Sequence, residues 1–146
     1  MIDFFKGQHA FLSNFQPCTV WLDDDCYASV EHAYQAAKSF DPGYREIVRE
    51  TTRPGDVKRF AKTLAAIRPD WDAVRVEIME DLLRQKFRNP ELAPKLLETG
   101  DEELVEGNTW GDTFWGVCKG KGENNLGKLL MKIRKELQDA AGRGRG

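Results

Sequence analysis

The sequence predicts an α+β fold, a helix-rich single domain with a small sheet. Three observations point to it: six stretches carry helical periodicity or helix-start residues, the strand-like runs are short, and the two kinds interleave along the chain.

The first 28 residues read as irregular and extended, with a hairpin from Thr19-Val20-Trp21-Leu22 through Asp23-Asp24-Asp25 to Cys26-Tyr27. Ser29 is a candidate N-cap for a helix through about Ser39, because its hydroxyl can accept from unpaired first-turn amides. Val30, Ala33, Tyr34 and Ala37 form the apolar stripe of that helix. Asp41-Pro42 opens a second helix with Tyr44, Ile47 and Val48 inward, since proline suits the first helical position. A third runs from about Pro54 to Leu64 and buries Val57, Phe60, Ala61 and Leu64.

The longest helix follows Asp70, with Val74, Ile78 and Leu82 at four-residue spacing joined by Met79, Leu83 and Phe87, and Asn89-Pro90 ends it. Leu92, Leu96 and Leu97 mark a short helix closed by Gly100. Leu104-Val105-Glu106 and Phe114-Trp115-Gly116-Val117-Cys118 read as two short strands around a Trp-Gly-Asp turn. The last helix, Asn125 to Leu137, carries Leu126, Leu129, Leu130, Ile133 and Leu137 on one face. Residues 1–140 therefore read as one domain, and 141–146, rich in glycine and arginine, as a disordered tail.

A formal charge of −2 gives the whole molecule no attraction for a polyanion, which argues against unspecific nucleic-acid binding but leaves room for a local basic pocket. Cys18, Cys26 and Cys118 are an odd number without CxxC spacing, so neither a disulfide framework nor a zinc site is expected; reduced, mostly buried thiols are. His9 and His32 are far apart, and no metal is expected. No signal peptide and no apolar run near the ~20 residues of a membrane span is visible, so the expectation is a cytoplasmic protein without a membrane partner.

Three constellations carry candidate chemistry. Glu31, Gln35 and Lys38 fall at i, i+4 and i+7, and seven residues at 100° each return almost to the starting azimuth after about 10 Å of rise. They share one helix face, which is either solvated or able to grip one ligand. Asn108-Thr109-Trp110-Gly111-Asp112-Thr113-Phe114-Trp115-Gly116 sets an amide, two indoles and a carboxylate in a glycine-punctuated loop. Trp110 is the better candidate for stacking on a base, and Trp115 for packing. Lys119-Gly120-Lys121-Gly122-Glu123-Asn124-Asn125 runs into a helix N-terminus, which suits either a phosphate or a plain turn with an Asn cap.

Together Phe11-Leu12-Ser13-Asn14-Phe15, Ser29-Val30-Glu31-His32-Ala33-Tyr34-Gln35-Ala36-Ala37-Lys38, the Asn108-to-Gly116 loop and the Gly120-to-Met131 stretch resemble the NADAR family, also called YbiA-like. The resemblance covers nearly the whole chain. It implies a YbiA-like α+β fold and an N-glycosidase that hydrolyses the bond between a phosphorylated ribose and a base, with no cofactor. Two substrate classes go with the family: ADP-ribose on guanine bases, in DNA or a nucleotide, and phosphoribosylamino intermediates of riboflavin biosynthesis. The first is the leading expectation, and a monomer the expected state. Matching the motifs carries catalytic roles onto Glu31, Lys38 and Asp112, and substrate contacts onto Asn14, Tyr34, Gln35, Asn108, Trp110, Gly122 and Asn124. Lys58-Arg59-Phe60-Ala61-Lys62 departs from the stretch common in relatives and offers a different basic surface.

Cleaving the bond builds oxocarbenium character, which the Glu31 carboxylate can stabilise, or Glu31 can activate water. A neutral Lys38 amine can instead attack the anomeric carbon and form a Schiff base. A charged Glu31 beside it raises the Lys38 pKa and works against attack, so direct hydrolysis ranks slightly ahead on sequence. Asp112 is expected to orient water, bind ribose hydroxyls or protonate the leaving group. The rival from another class is a noncatalytic NAD or ADP-ribose sensor, which has no use for a carboxylate beside the anomeric carbon.

Overall fold

Strand β1, Pro17–Leu22, turns back at Asp23 into β2, Asp25–Ser29, as an antiparallel hairpin with an irregularity between Pro17 and Val20. Asp23 sits at φ 54°, a left-handed conformation that Asp tolerates better than most residues. Ser29 ends the strand in extended conformation, and its hydroxyl accepts from the His32 amide at 3.1 Å, opening helix α1, Val30–Ala37. The computed structural model describes residues 1–144, which divide into two compact units.

The first unit comprises residues 14–86. Besides the hairpin and α1 it contains α2, Pro42–Glu50, capped by Asp41 through a 3.1 Å bond from Gly43, then α3, Pro54–Leu64, and α4, Trp71–Lys86. Helix α1 packs against the hairpin and against α2, α3 and α4, so every one of its residues is buried. A helix buried on all sides normally carries apolar residues all round, yet this one holds Glu31, His32 and Gln35. His32 is a satisfied core histidine: Nε2 donates to the Thr51 carbonyl at 2.7 Å and Nδ1 lies 2.7 Å from the Ser29 hydroxyl. The side chain of Gln85 clamps α4 to β1, accepting from the Trp21 amide at 2.7 Å and donating to its carbonyl at 2.8 Å.

The second unit joins residues 1–13 to the chain from Phe87 onward. A 3-10 turn, Gly7–Leu12, occupies part of the segment expected to be irregular, and Phe11 and Leu12 are buried. Helices α5, Ala93–Glu98, and α6, Asn125–Gly144, pack on each other over Leu96, Leu130 and Ile133. Two residues each make β3, Gly107–Asn108, and β4, Val117–Cys118, which pair in parallel, while Leu104 bridges Ile2.

Several expectations are corrected. Ile47 and Leu64 are exposed, because the narrow buried stripes of α2 and α3 are filled by Tyr44, Val48, Val57 and Ala61. The strand expected at 104–106 is not formed beyond the isolated Leu104 bridge, with β3 starting after it at Gly107, and the strand expected at 114–118 shrinks to β4; residues 112–115 turn as the Phe114 and Trp115 amides donate to Asp112 Oδ1. Of the three free cysteines, only Cys118 is buried; Cys18 is half-buried and Cys26 exposed. Helix α6 runs through Gly144, into the segment read as a disordered tail, since Ala140 and Ala141 favour helix and Lys135 pairs with Asp139 one turn on. The rest of that predicted tail, 145–146, lies outside the described residues. No helix of the described residues is long and apolar enough to cross a membrane.

Candidate active site

In the 14–86 unit the face Glu31, Gln35, Lys38 lies largely out of water: Glu31 is 7% exposed and Gln35 5%, while Lys38 at its end is half-buried. Gln35 Nε2 donates to Glu31 Oε1 at 2.8 Å, and the Glu31 amide donates to the Asn14 carbonyl at 3.0 Å. Asn14 and Gln35, both expected substrate contacts, therefore touch Glu31 directly. Each also keeps a buried carbonyl oxygen, Asn14 Oδ1 and Gln35 Oε1, with no hydrogen-bond partner. Leaving such an acceptor unpaired costs roughly 1–3 kcal/mol, so two of them beside a buried carboxyl mark a place shaped for donors that a ligand would bring.

Lys38 is the C-cap residue of α1, its backbone amide donating to the Gln35 carbonyl at 3.3 Å. Its Nζ stands 5.6 Å from the centroid of the Tyr34 ring, which in turn tilts against Trp71 at 5.1 Å. Tyr34 thus braces the lysine. The backbone around Lys38 is fixed by the Arg68 amide, which donates to the Lys38 carbonyl at 2.7 Å, and by Arg45, whose Nε donates to the Ser39 carbonyl at 2.8 Å. The Tyr44 hydroxyl donates to the Gln35 carbonyl at 2.8 Å, and burial pushes that phenol up to about 12.

Burial is the leading influence on both charged residues of this face. It pushes Glu31 above the ordinary carboxylate range, against the pull of the Gln35 hydrogen bond and of Lys58 and Lys38. It pushes Lys38 below the ordinary lysine range, opposed by Glu31 and assisted by Arg75, Lys58 and Lys62. No ion pair joins Glu31 to Lys38 among the described residues. Burial thus shifts both groups in the direction of their uncharged forms.

The other expected site residues lie in the second unit, where their visible bonds shape a loop. Asp112 Oδ1 accepts from the amides of Phe114 at 3.1 Å and Trp115 at 2.8 Å. Asn108, 6% exposed, donates from Nδ2 to the Asp112 carbonyl at 2.8 Å and accepts at Oδ1 from its amide at 3.0 Å. Trp110 at the tip is exposed, while Trp115 stacks edge-on against Phe114. Asn124, at φ 53°, accepts from the Glu106 amide at 3.0 Å and donates to the Leu104 carbonyl at 2.9 Å. Gly122, at φ 149°, lies so close to the Gly116 carbonyl that a side chain would collide with it.

The start of α6 does not offer the anion site that its glycine-rich approach suggested. Amides of Glu123, Asn124, Asn125 and Leu126 donate to the carbonyls of Thr113, Gly116, Phe114 and Trp115 at 2.8–3.3 Å. Backbone partners have taken the donors a phosphate would need.

A family model of the NADAR domain matches residues 4–138. The chain belongs to the NADAR family. Among its NADAR relatives, an N-glycosidase of Nostoc punctiforme is 37% identical over 133 residues, 87% of this chain and 85% of that one. The N-glycosidase YbiA of Escherichia coli strain K12 is 37% identical over 142 residues, covering 94% of this chain and 88% of YbiA. A riboflavin biosynthesis protein of Vibrio vulnificus is 41% identical over 136 residues; this chain spans only 37% of its length. The NMR structure of E. coli YbiA matches with a TM-score of 0.82 at 33% identity, covering 97% of this chain and 89% of that one.

Within the NADAR chain, sequence reasoning overlooked Tyr44, Arg45, Arg68 and Arg75. Tyr44 was read only as apolar, and the arginines carry no motif. The one available signal was Arg68 beside Asp70 at a helix start, where the two now form a bidentate pair at 2.6 and 2.9 Å.

Proposed function

We propose that this chain is an N-glycosidase acting between a phosphorylated ribose and a base, with Lys38 as nucleophile and Glu31 as proton carrier. The observation that carries the reading is the α1 face on which Glu31 and Gln35 are buried and joined by a hydrogen bond and Lys38 is half-buried, with burial moving Glu31 up and Lys38 down. A solvated surface face has no reason to bury a carboxyl, and a binder of phosphates is weakened by one.

Because burial moves Glu31 up and Lys38 down, each toward its uncharged form, we rank the Schiff-base route ahead of direct hydrolysis, reversing the order suggested by sequence. The Lys38 Nζ lone pair attacks the anomeric carbon, and the glycosidic electron pair leaves with the base nitrogen, which takes the proton of Glu31. The Glu31 carboxylate then removes a proton from Nζ, the ribose ring opens as its oxygen is protonated, and an iminium forms. Water adds to that carbon and the amine departs, so the sum is one water consumed and base and sugar released.

ADP-ribose on guanine is the substrate class we put first. A second reading, phosphoribosylamino compounds of the riboflavin route, draws support from the relative named for riboflavin biosynthesis. The test is base release by the purified chain from ADP-ribosylated guanine DNA and, in parallel, from the phosphoribosylamino compounds. Release that vanishes in Glu31→Gln and Lys38→Ala sustains the reading and selects the substrate; no release from either overturns it in favour of a sensor.

A further inference from the structure

The last turn of α1 is tighter than the helix it ends. In a continuing α-helix the Gln35 carbonyl accepts from the amide of Ser39, four residues on. Here the Ser39 amide donates to the Ala36 carbonyl at 3.3 Å and the Lys38 amide to the Gln35 carbonyl at 3.3 Å, each across three residues. Lys38 sits at φ −61° and ψ −24°, the values of a 3-10 turn. The hydroxyl of Tyr44, from α2, takes the place of the Ser39 amide and donates to the Gln35 carbonyl at 2.8 Å. Later carbonyls of this end are also held from outside the helix: Lys38 by the Arg68 amide at 2.7 Å, and Ser39 by Arg45 Nε at 2.8 Å.

A 3-10 residue turns the chain by ~120° against ~100° in an α-helix, so tightening after Gln35 brings Lys38 round toward the azimuth of Gln35. Gln35 is also the residue whose Nε2 donates to Glu31 Oε1 at 2.8 Å. One residue thus carries Glu31 on its side chain and both Lys38 and Tyr44 on its carbonyl. Packing has no need of the Tyr44 oxygen: the ring, 3% exposed, meets Phe60 edge-on at 6.4 Å, a contact that phenylalanine keeps. Burial, with the charge of Glu31 adding to it, holds the phenol up to about 12, so it remains a donor while Lys38, pushed below the ordinary lysine value, titrates. We propose that Tyr44 is a positioning residue for Lys38, its hydroxyl keeping the last turn of α1 tight and the amine in line with Gln35 and Glu31. This deepens the proposed N-glycosidase reading and rests on it for the role of Lys38. Without the hydroxyl, the Gln35 carbonyl can take the Ser39 amide, which relaxes the turn to α geometry and swings Lys38 off that line.

The experiment compares the full chain with Tyr44→Phe and with Ile133→Val, a core change in the other unit that serves as the control for lost stability. Two quantities are read: kcat and KM for base release, and the pH midpoint at which Lys38 is labelled by limiting acylating reagent, followed by mass spectrometry. Tyr44→Phe changes none of the charges that act on Lys38, namely Glu31, Arg75, Lys58 and Lys62, so a shifted midpoint reports a change in position or burial. Expected in Tyr44→Phe are a kcat lower by about 10–10²-fold with KM within about twofold, as for a misplaced reacting group. The Lys38 midpoint moves up, because burial is the largest influence on the amine and is what a displaced lysine loses. Ile133→Val moves neither quantity. Arg45→Lys, which has no Nε to hold the Ser39 carbonyl, carries the same expectation and the test should Tyr44→Phe fail to fold. An unchanged kcat, or a Lys38 midpoint that stays in place or moves down, overturns the proposal. Because labelling needs no turnover, a chain that releases no base but whose Lys38 midpoint rises in Tyr44→Phe refutes the catalytic reading and leaves the positioning of Lys38 by Tyr44 standing.

Discussion

Glu31 and Lys38 stand seven residues apart on one face of a buried helix, and burial drives them in opposite directions, the acid up and the amine down. On sequence alone their pairing is an obstacle, because a charged Glu31 keeps Lys38 charged. Burial removes the obstacle by disfavouring both charges at once. Without a direct ion pair, each can exist as the neutral form that attack on an anomeric carbon requires.

A covalent intermediate follows from that arrangement. Borohydride added during turnover is expected to trap a sugar on Lys38 of the wild-type chain, seen as a mass increase on its peptide, and no adduct in Lys38→Ala. Glu31→Gln keeps the amine but loses the proton carrier, so base release falls by about 10²–10⁴-fold. Turnover without a trapped adduct would return direct hydrolysis to the lead.

The Lys38 amine is also expected to answer to its neighbours with definite signs. Lys62 lowers its pKa and Glu31 raises it. Lys62→Gln therefore makes Lys38 less reactive toward limiting acylating reagent at a given pH, moving its titration upward. Glu31→Gln makes it more reactive and moves the titration downward. Mass-spectrometric labelling across a pH series reads both, and shifts of the same sign would contradict the charge arrangement described above.

Helix positions were legible because caps and periodicity are local: Ser29, Asp41-Pro42 and Pro54 each start a helix where their chemistry says. The Glu31, Gln35, Lys38 face was legible as geometry but not as burial. Whether a face meets water depends on what packs against it, and α3 and α4 arrive from later in the chain. For the same reason Lys58, Lys62 and Arg75 are separate letters in the sequence, and their charges act on Lys38 once α3 and α4 pack on α1. Asn108, Asp112 and Asn124 stand out in the sequence through the family's motifs, while their bonds to backbone amides and carbonyls are visible only in the folded loop.

Lys86 illustrates burial acting on stability. It is 1% exposed, and burial lowers it from 10.5 to about 7, with Cys18 opposing the shift. The unfolded chain holds this proton up to the ordinary lysine range, so folding is penalised at every pH below about 7 and the penalty fades as pH rises from 7 toward 10.5. At ~1.4 kcal/mol per tenfold, that interval sets an upper bound near 5 kcal/mol. Lys86→Met is expected to gain ~1–4 kcal/mol at pH 6 once the contacts of the ammonium are lost. In urea denaturation at pH 6 and 9, the gain should shrink at the higher pH; a constant or growing gain would assign it to packing instead.

Asp112 separates a structural from a chemical role by a single atom. Its Oδ1 accepts from Phe114 and Trp115, and an asparagine keeps an oxygen in that place while removing the charge. Asp112→Asn is therefore expected to retain the loop within about 1 kcal/mol, whereas Asp112→Ala leaves two amides without their acceptor and loses ~1–3 kcal/mol. Base release decides what else the residue does. If Asp112→Asn works at near wild-type rate while Asp112→Ala is impaired in proportion to its stability, the carboxylate serves the loop. A stable Asp112→Asn that loses 10²-fold or more in rate requires the charge or the proton of Asp112 in the reaction itself.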